Sequence, residues 1–369
     1  MTTKTNRSPA SFALALAHPA LLFYALPWLM FLLVAGTVAQ RYIGLFQSEK
    51  LFLGSFVFWL GPVPLPGAYT TLGVIAVCLL AKLLFKSPLD KSQLGVIVTH
   101  VSVLVLLAGG LVSAFCREEG YIVLGPDDTG NVVSDYHNRE LAILKNGKPL
   151  VTVPQNGLRE GVVVHNPSLP FSLRVDAYCA NCAARAREHP DSSLRGVAKK
   201  VDIVSAPLRK EDAENQSGVV LSLSGLSKEQ DGTYVASEAL SQPATVTLGK
   251  DHYEMVVQHE QRELPFTVRL RHFEKSDYPG TEMARSYSSE VTVKDGPLEW
   301  NATIEMNQPL RHAGYTLYQS SFVENEGKLY TVLAVVKNTG ALFPYIAIAT
   351  LCAGLLLHLG IMFSGKGKT

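Results

Sequence analysis

Four long apolar runs constrain the fold of this chain more than any other feature of its sequence. They cover residues 19–39, 69–85, 95–115 and 341–363, and each is 17 to 23 residues long. A helix of roughly 20 apolar residues is long enough to cross a bilayer core about 30 Å thick. We therefore predict four transmembrane helices with these bounds.

The acidic residues are almost confined to one part of the chain. Of the 32 Asp and Glu residues, 30 lie in 117–340, together with 24 of the 33 basic residues, so this segment carries 24 − 30 = −6 charges. Charged side chains are costly inside a bilayer. We therefore predict that 116–340 is one large aqueous insert, which excludes a single soluble enzyme domain. The whole chain carries a net charge of only +1, which does not favour nucleic acid as a partner.

Positive charge predicts the orientation of the spans. Basic residues near span ends favour the cytoplasmic side, and four crossings place seven of them on one side. We therefore expect 1–18 and 364–369 to be cytoplasmic, and 40–68 and 116–340 to be extracytoplasmic. The seven residues are Lys4, Arg7, Lys82, Lys86, Lys91, Lys366 and Lys368.

The insert alternates apolar and polar residues in short runs that Gly, Pro, Asn and Asp separate. Strands at a spacing of about 8–12 residues are typical of antiparallel β-sandwiches and barrels. The predicted fold class is a membrane protein with four transmembrane α-helices and a large all-β extracytoplasmic domain, sandwich- or barrel-like. We also predict a helical turn at 180–189 and an exposed loop at 208–216. The patterns Leu169-Pro-Phe-Ser-Leu-Arg-Val and Leu264-Pro-Phe-Thr-Val-Arg-Leu indicate a duplicated element in which Pro opens a strand.

Two histidines within the predicted spans are candidate ligands for haem iron. His100 and His358 each lie about five residues from the cytoplasmic end of their span, and the two spans run in opposite directions. We therefore expect both imidazoles at a similar depth. Imidazole is a common axial ligand of haem. The alternatives are an interhelical hydrogen bond for His100 and a side chain extended towards the interface for His358.

Two cysteines in the insert form the sequence Cys179-Ala-Asn-Cys182. Because Ala183 follows instead of His, this is not an attachment sequence for c-type haem. The pair could form a structural disulfide, exchange with partner thiols, or bind zinc with His189 nearby. The β-rich surroundings lack the helix start of a thioredoxin-like site, so a structural disulfide is favoured while the other two alternatives stay open.

The order of segments and several motifs resemble the ResB/CcsB family, which works with CcsA in system II cytochrome c biogenesis. Three spans, a large insert, one span and a short basic tail match the family over nearly the whole chain. The motifs are Gly36-Thr-Val-Ala-Gln40, the stretch that begins at His100, Met306-Asn-Gln-Pro-Leu310, and Gly314-Tyr-Thr-Leu-Tyr-Gln-Ser-Ser321.

The resemblance implies a function and its site. It implies a subunit of the cytochrome c synthase complex in the bacterial inner membrane, acting with a CcsA-like membrane protein in haem transport and in covalent attachment of haem to apocytochrome c. Haem b is then a transiently bound cargo whose iron His100 binds, and thiol-reducing proteins are further partners. We extend ligation to His358 as a hypothesis of our own. The Trp-rich haem-presenting segment of CcsA is absent from this sequence, so the chain is expected to be non-catalytic alone.

Three other functions remain open from the sequence. One is a membrane-anchored thiol–disulfide protein that acts through Cys179 and Cys182. Another is a non-catalytic anchored binding module in which His100 only packs. A b-type electron-transfer subunit is the third, and it would bind haem without taking part in cytochrome c assembly.

Overall fold

The computed structural model describes residues 15–87, 90–281 and 283–366. Lys4, Arg7 and Lys368, three of the basic residues that predict the orientation, lie outside the described residues. The chain divides into a helical unit, which ends at Arg117 and resumes at Asn338, and a β unit, Glu118–Lys337.

Among the described residues, four helices are long and apolar enough to cross a membrane. The predicted fold class is therefore confirmed: this is a multi-pass membrane protein with a large sheet-rich domain. The helices are α1 (Pro19–Ile43), α2 (Ala68–Phe85), α3 (Leu94–Cys116) and α4 (Phe343–Lys366).

Helix α1 has distinct start and stop signals. His18 caps its beginning by accepting a hydrogen bond from the backbone N–H of Ala20, and Pro19 occupies the first turn, where its missing N–H costs nothing. The helix continues past the apolar run to Ile43. It ends at Gly44, whose φ of +82° favours a residue without a Cβ.

The segment between α1 and α2 folds back onto α1. Phe52 and Phe58 are buried against Leu32, and the indole N–H of Trp28 donates to the carbonyl of Pro66 at 2.7 Å. The segment consists of a helical turn, a π-helical turn and a hairpin of two strands. Their bounds are Leu45–Ser48, Glu49–Leu53, β1 (Val57–Leu60) and β2 (Val63–Pro66).

The β unit is built from short antiparallel strands and two long ones, β4 and β13. The strands are β3 (Arg117–Leu124), β4 (Thr129–Lys145), β5 (Lys148–Pro154), β6 (Val163–Val164), β7 (Ser172–Cys179), β8 (Cys182–Ala186), β9 (Val201–Ser205), β10 (Gly218–Ser224), β11 (Gly232–Ser237), β12 (Ala244–Leu248), β13 (Asp251–Asp277), β14 (Ala284–Asp295), β15 (Leu298–Glu305), β16 (Leu310–His312), β17 (Tyr315–Asn325) and β18 (Lys328–Asn338).

The largest sheet of the described residues has the order β15-β14-β13-β4-β3-β18-β17-β16, with β12 added to β13 and β5 added to β4. Its end strand β15 lies against β16 and β17 at the other end, so the sheet curls round on itself. A second sheet has the order β11-β10-β7-β6, and β8 and β9 form a separate hairpin. The predicted all-β domain, sandwich- or barrel-like, is therefore confirmed, and its strands form one curled sheet and one smaller sheet.

Two hydrophobic cores lie within the described part of the β unit. The first core is a sandwich, in which β7, β10 and β11 pack on β5, β12 and the adjoining halves of β4 and β13. The second core fills the curled sheet and takes side chains from β3, β4, β13, β14, β15, β17 and β18. Because β4 and β13 contribute to both cores, they tie the two into one unit.

The repeated sequence pattern supplies equivalent residues to the two cores. Leu169, Phe171, Leu173 and Val175 are buried in the first core, and Leu264, Phe266, Val268 and Leu270 are buried in the second. In the second copy Pro265 lies inside β13 and does not open a strand. There β13 loses register with β4 between Glu263 and Val268, because proline has no N–H for the ladder.

The predicted helical turn at 180–189 is wrong. Residues Cys182–Ala186 form β8, which pairs with Val201–Ser205. Helical spacing is a weak signal over so few residues, and pairing with a partner strand overrides it. The predicted exposed loop at 208–216 is confirmed for most of its residues, whereas Asp212 is half-buried and Asn215 is buried.

Candidate functional site

His100 lies on α3, and a hydrogen bond fixes the orientation and tautomer of its imidazole. Its Nδ1 lies 2.7 Å from the carbonyl oxygen of Val96, one turn earlier in the same helix. A carbonyl only accepts hydrogen bonds, so Nδ1 carries the proton and donates. The other nitrogen, Nε2, then presents a lone pair, which is the form of imidazole that binds metals.

Lys82 of α2 is the hydrogen-bond donor to that lone pair. Its Nζ lies 3.1 Å from Nε2 of His100. Within the described residues, Lys82 makes no ion pair, and the only acidic residues of the sequence up to Cys116 are Glu49 and Asp90. The sequence indicates Lys82 only as a basic residue near a span end, because its contact with His100 depends on how α2 and α3 are rotated.

Helices α3 and α4 pack closely through a stripe of small residues. Gly95, Ser102 and Gly109 are the buried residues of α3 and recur every seven positions. A Cβ placed on Gly95 would lie 2.4 Å from the backbone nitrogen of His358, and one on Gly109 would lie 2.1 Å from Cβ of Phe343. Such small-residue contacts let membrane helices approach backbone to backbone.

This packing separates the two candidate histidines. His358 is level with Gly95, which precedes His100 by five residues, or about 7.5 Å along the helix axis. The same five residues turn the helix by about 140°, so His100 faces α2, away from the contact with α4. The backbone positions of the two histidines are therefore offset along the helices, and no contact among the described residues joins the two imidazoles. The side chain of His358 is exposed and has no hydrogen-bond partner among the described residues.

The two cysteines of the insert form a disulfide at the end of β7. Asn181 between them is buried, and it donates to the carbonyl of Pro207 and accepts from the backbone N–H of Gln216. The disulfide and this asparagine fix the turn by which the chain leaves the four-stranded sheet for the β8–β9 hairpin.

The surroundings of the disulfide favour a structural role. Cys182 is buried, and Cys179 belongs to a strand and not to a helix N-terminus, where a thiolate is stabilised. No group of three or more His, Cys, Asp or Glu side chains that could hold a metal ion occurs in the described part of the chain. The observed pairing of the two sulfurs also leaves neither of them free as a zinc ligand.

A cluster of charged residues, which no sequence pattern indicates, lies between the two cores of the β unit. This junction cluster consists of Asp135, Arg139, Glu238, His259 and Arg262. Along β4 and along β13 its members fall between residues of the first core and residues of the second. A three-dimensional contact brings Glu238 to the two long strands, and no sequence spacing marks it.

Arg139 is the central side chain of the junction cluster. It is only 3% exposed, and its Nε donates to both carboxylate oxygens of Glu238 at 3.0 and 3.1 Å. Nδ1 of His259 lies 2.6 Å from the carbonyl oxygen of Asp135, and Arg262 pairs with the carboxylate of Asp135. These contacts pair the charges that are buried between the two apolar cores, although Nη1 of Arg139 has no hydrogen-bond partner among the described residues.

The sequence block 306–321 forms a turn and part of the second core. Leu317 is fully buried in that core. Gln319 is also buried, and its side chain forms hydrogen bonds with the hydroxyls of Ser289 and Thr331. Gly314 has a φ of +81°, which a residue without a Cβ adopts readily.

Comparisons with known proteins match part of the chain. A model of the ResB-like family matches residues 238–350. Protein NrfI of Wolinella succinogenes is 34% identical to this chain over 98 residues, which are 26% of this chain and 11% of NrfI. The resemblance to the ResB/CcsB family is therefore confirmed, and the matched range includes β12 to β18 and the first turns of α4. His100 and the cysteine pair lie outside that range.

Proposed function

We propose that this ResB-like membrane protein handles haem in cytochrome c biogenesis, with a CcsA-like membrane protein as its partner. Haem b is its cargo, and His100 is the residue that binds the iron during transfer across the bacterial inner membrane. The β unit then faces the extracytoplasmic side, where apocytochrome c receives haem and thiol-reducing proteins keep its cysteines reduced. The matches to the ResB-like family and to NrfI support the cytochrome c part of this proposal.

The observation that carries the proposal is the imidazole of His100. Its Nδ1 donates to Val96, so Nε2 holds a lone pair within a helix that is apolar enough to span the membrane. Neutral imidazole in this form is a ligand for haem iron, and the apolar surroundings help to set the potential of the iron. The chain's own contribution is thus to hold and orient the cargo, and covalent attachment is assigned to the complex.

The proposal is tested by spectroscopy of the complex. We expect the full-length chain, co-expressed with a CcsA-like partner, to co-purify with haem that gives a Soret band. His100→Ala should reduce this band strongly, because the iron loses a ligand. His358→Ala is the matched control, since it removes a second imidazole of the spans, one that no contact among the described residues joins to His100. An unchanged Soret band in His100→Ala would overturn the proposal.

Loss of cytochrome c maturation is the second measurement. Cells with His100→Ala should accumulate apocytochrome, and free imidazole in the medium should partly restore haem binding by occupying the vacated space. If Cys179→Ser abolished maturation while an added thiol reductant restored it, the thiol–disulfide alternative would replace haem handling as the function. If deletion of the chain left cytochrome c assembly intact while the purified protein held haem, it would be a b-type electron-transfer subunit.

A further inference from the structure

The side chain of Lys82 is a cation without an anionic partner among the described residues of the helical unit. It lies one turn before the end of α2, a helix that is long and apolar enough to span a membrane. Ionisable residues in membrane spans are rare and usually mark a binding or transport site. The contact described for its ammonium is with the Nε2 lone pair of His100, at 3.1 Å.

We propose that Lys82 binds a propionate carboxylate of haem when the iron is bound by His100. This inference rests on the proposed function and adds a residue to its site. Iron and Lys82 compete for the same lone pair, because Nε2 has only one. When iron takes it, the ammonium loses its acceptor and needs another one in the same apolar surroundings. The porphyrin brings two carboxylates with it, and its arrival therefore supplies the missing anion.

The chemistry of the side chain suits this exchange of partners. Lysine carries a compact charge on a flexible four-carbon stem, so its Nζ can move from the imidazole to the edge of a porphyrin without a change in α2. Before haem arrives, the same ammonium stabilises the lone pair and holds the imidazole in position. Lys82 is thus a positioning residue in the empty site and a cargo-binding residue in the loaded one.

The test compares haemin with haemin dimethyl ester, in which both propionates are esterified and uncharged. Each porphyrin is titrated into the complex of the full-length chain with its CcsA-like partner, produced in cells that cannot make haem, and the Soret change gives the affinity. The wild-type complex should bind haemin about tenfold more tightly than the ester, as expected for one charge-assisted contact. Lys82→Met should abolish this preference, and Lys82→Arg should retain most of it.

Lys86→Met is the matched control, since Lys86 follows α2 directly and is exposed. It should leave the preference unchanged. If Lys82→Met kept the wild-type ratio of the two affinities, the inference about Lys82 would be overturned while haem handling by His100 stood. If His100→Ala changed the binding of neither porphyrin, or if neither bound the wild-type complex, the proposed function itself would fail.

Discussion

One hydrogen bond within α3 determines which nitrogen of His100 is available to a ligand. The carbonyl of Val96 takes the proton of Nδ1, and Nε2 is left to Lys82. A histidine placed one residue earlier or later on the helix would face a different neighbour, because each residue turns the helix by about 100°. The chemistry of the site therefore depends on helix rotation as much as on the presence of an imidazole.

The ion pair between Arg139 and Glu238 should contribute strongly to stability. Glu238→Ala leaves a guanidinium buried without its carboxylate, and breaking a buried pair in this way costs about 3–5 kcal/mol. Glu214→Ala is the control, because its pair with Arg209 is well exposed and such pairs are worth about 0–1 kcal/mol. Chemical denaturation of the full-length protein in detergent measures both. Equal losses of unfolding free energy in the two variants would contradict the central role of Arg139.

Glu260 should make stability depend on pH. Burial raises the pKa of its carboxyl above the ordinary 4.5, and the negative charges of Asp135, Glu140 and Glu118 add to this, although Arg262 opposes it. When the pKa of a carboxyl is raised in the folded state, the free energy of unfolding of the protein falls as the pH rises through that pKa. Glu260→Gln should therefore stabilise the protein at pH 7 and have little effect below pH 4.5, where both states are protonated. Unfolding curves at several pH values measure this difference, and a stabilisation independent of pH would contradict it.

Helices α3 and α4 pack so closely that a larger side chain on the stripe of small residues should destabilise the protein. Gly109→Ala places a methyl group 2.1 Å from Cβ of Phe343 and should destabilise the protein by about 1–3 kcal/mol. Gly110→Ala, one residue further on, meets nothing within 4 Å and should be neutral or slightly stabilising. Unfolding in mixed detergent micelles compares the two. Similar effects of both changes would show that the helices do not meet along this stripe.

The sequence predicts the helices better than the strands. The four spans follow from apolar runs alone, but α1 continues past its run to Ile43, because the helix ends at Gly44 and not where hydropathy falls. The length of β13 could not be predicted, since Pro265 normally ends a strand. The sheet accommodates this proline through a local loss of register with β4.

The residues of the candidate site could be chosen from the sequence, but not their contacts. An imidazole in an apolar run identifies His100 by composition alone, and a Cys-X-X-Cys spacing identifies the pair that the structure joins. The partner of His100 and the separation of His358 depend on how neighbouring helices are rotated and aligned. The partner of Arg139 depends on which strands meet. No local sequence pattern encodes the rotation of the helices or this meeting of strands.

For the whole molecule, the two cores of the β unit should unfold together. Leu173→Ala and Leu270→Ala each remove a fully buried side chain, one from each core, and should each cost about 2–5 kcal/mol. Because β4 and β13 belong to both cores, either change should lower the protection of both against hydrogen exchange. Mass spectrometry of peptides from β7 and β14 measures this, with the exposed Leu298→Ala as the control. Loss of protection confined to the mutated core would show that the cores are independent.

The exposed residues 208–211 lie between β9 and β10. Several elements that precede this loop in the chain pair with elements that follow it. Strand β7 pairs with β10, β4 pairs with β13, and α3 packs on α4 across that point. Two polypeptides separated there would each carry complementary strands and helices by which to recognise the other. The protein should therefore assemble from two separately translated fragments, the first held in the bilayer by α1, α2 and α3 and the second by α4.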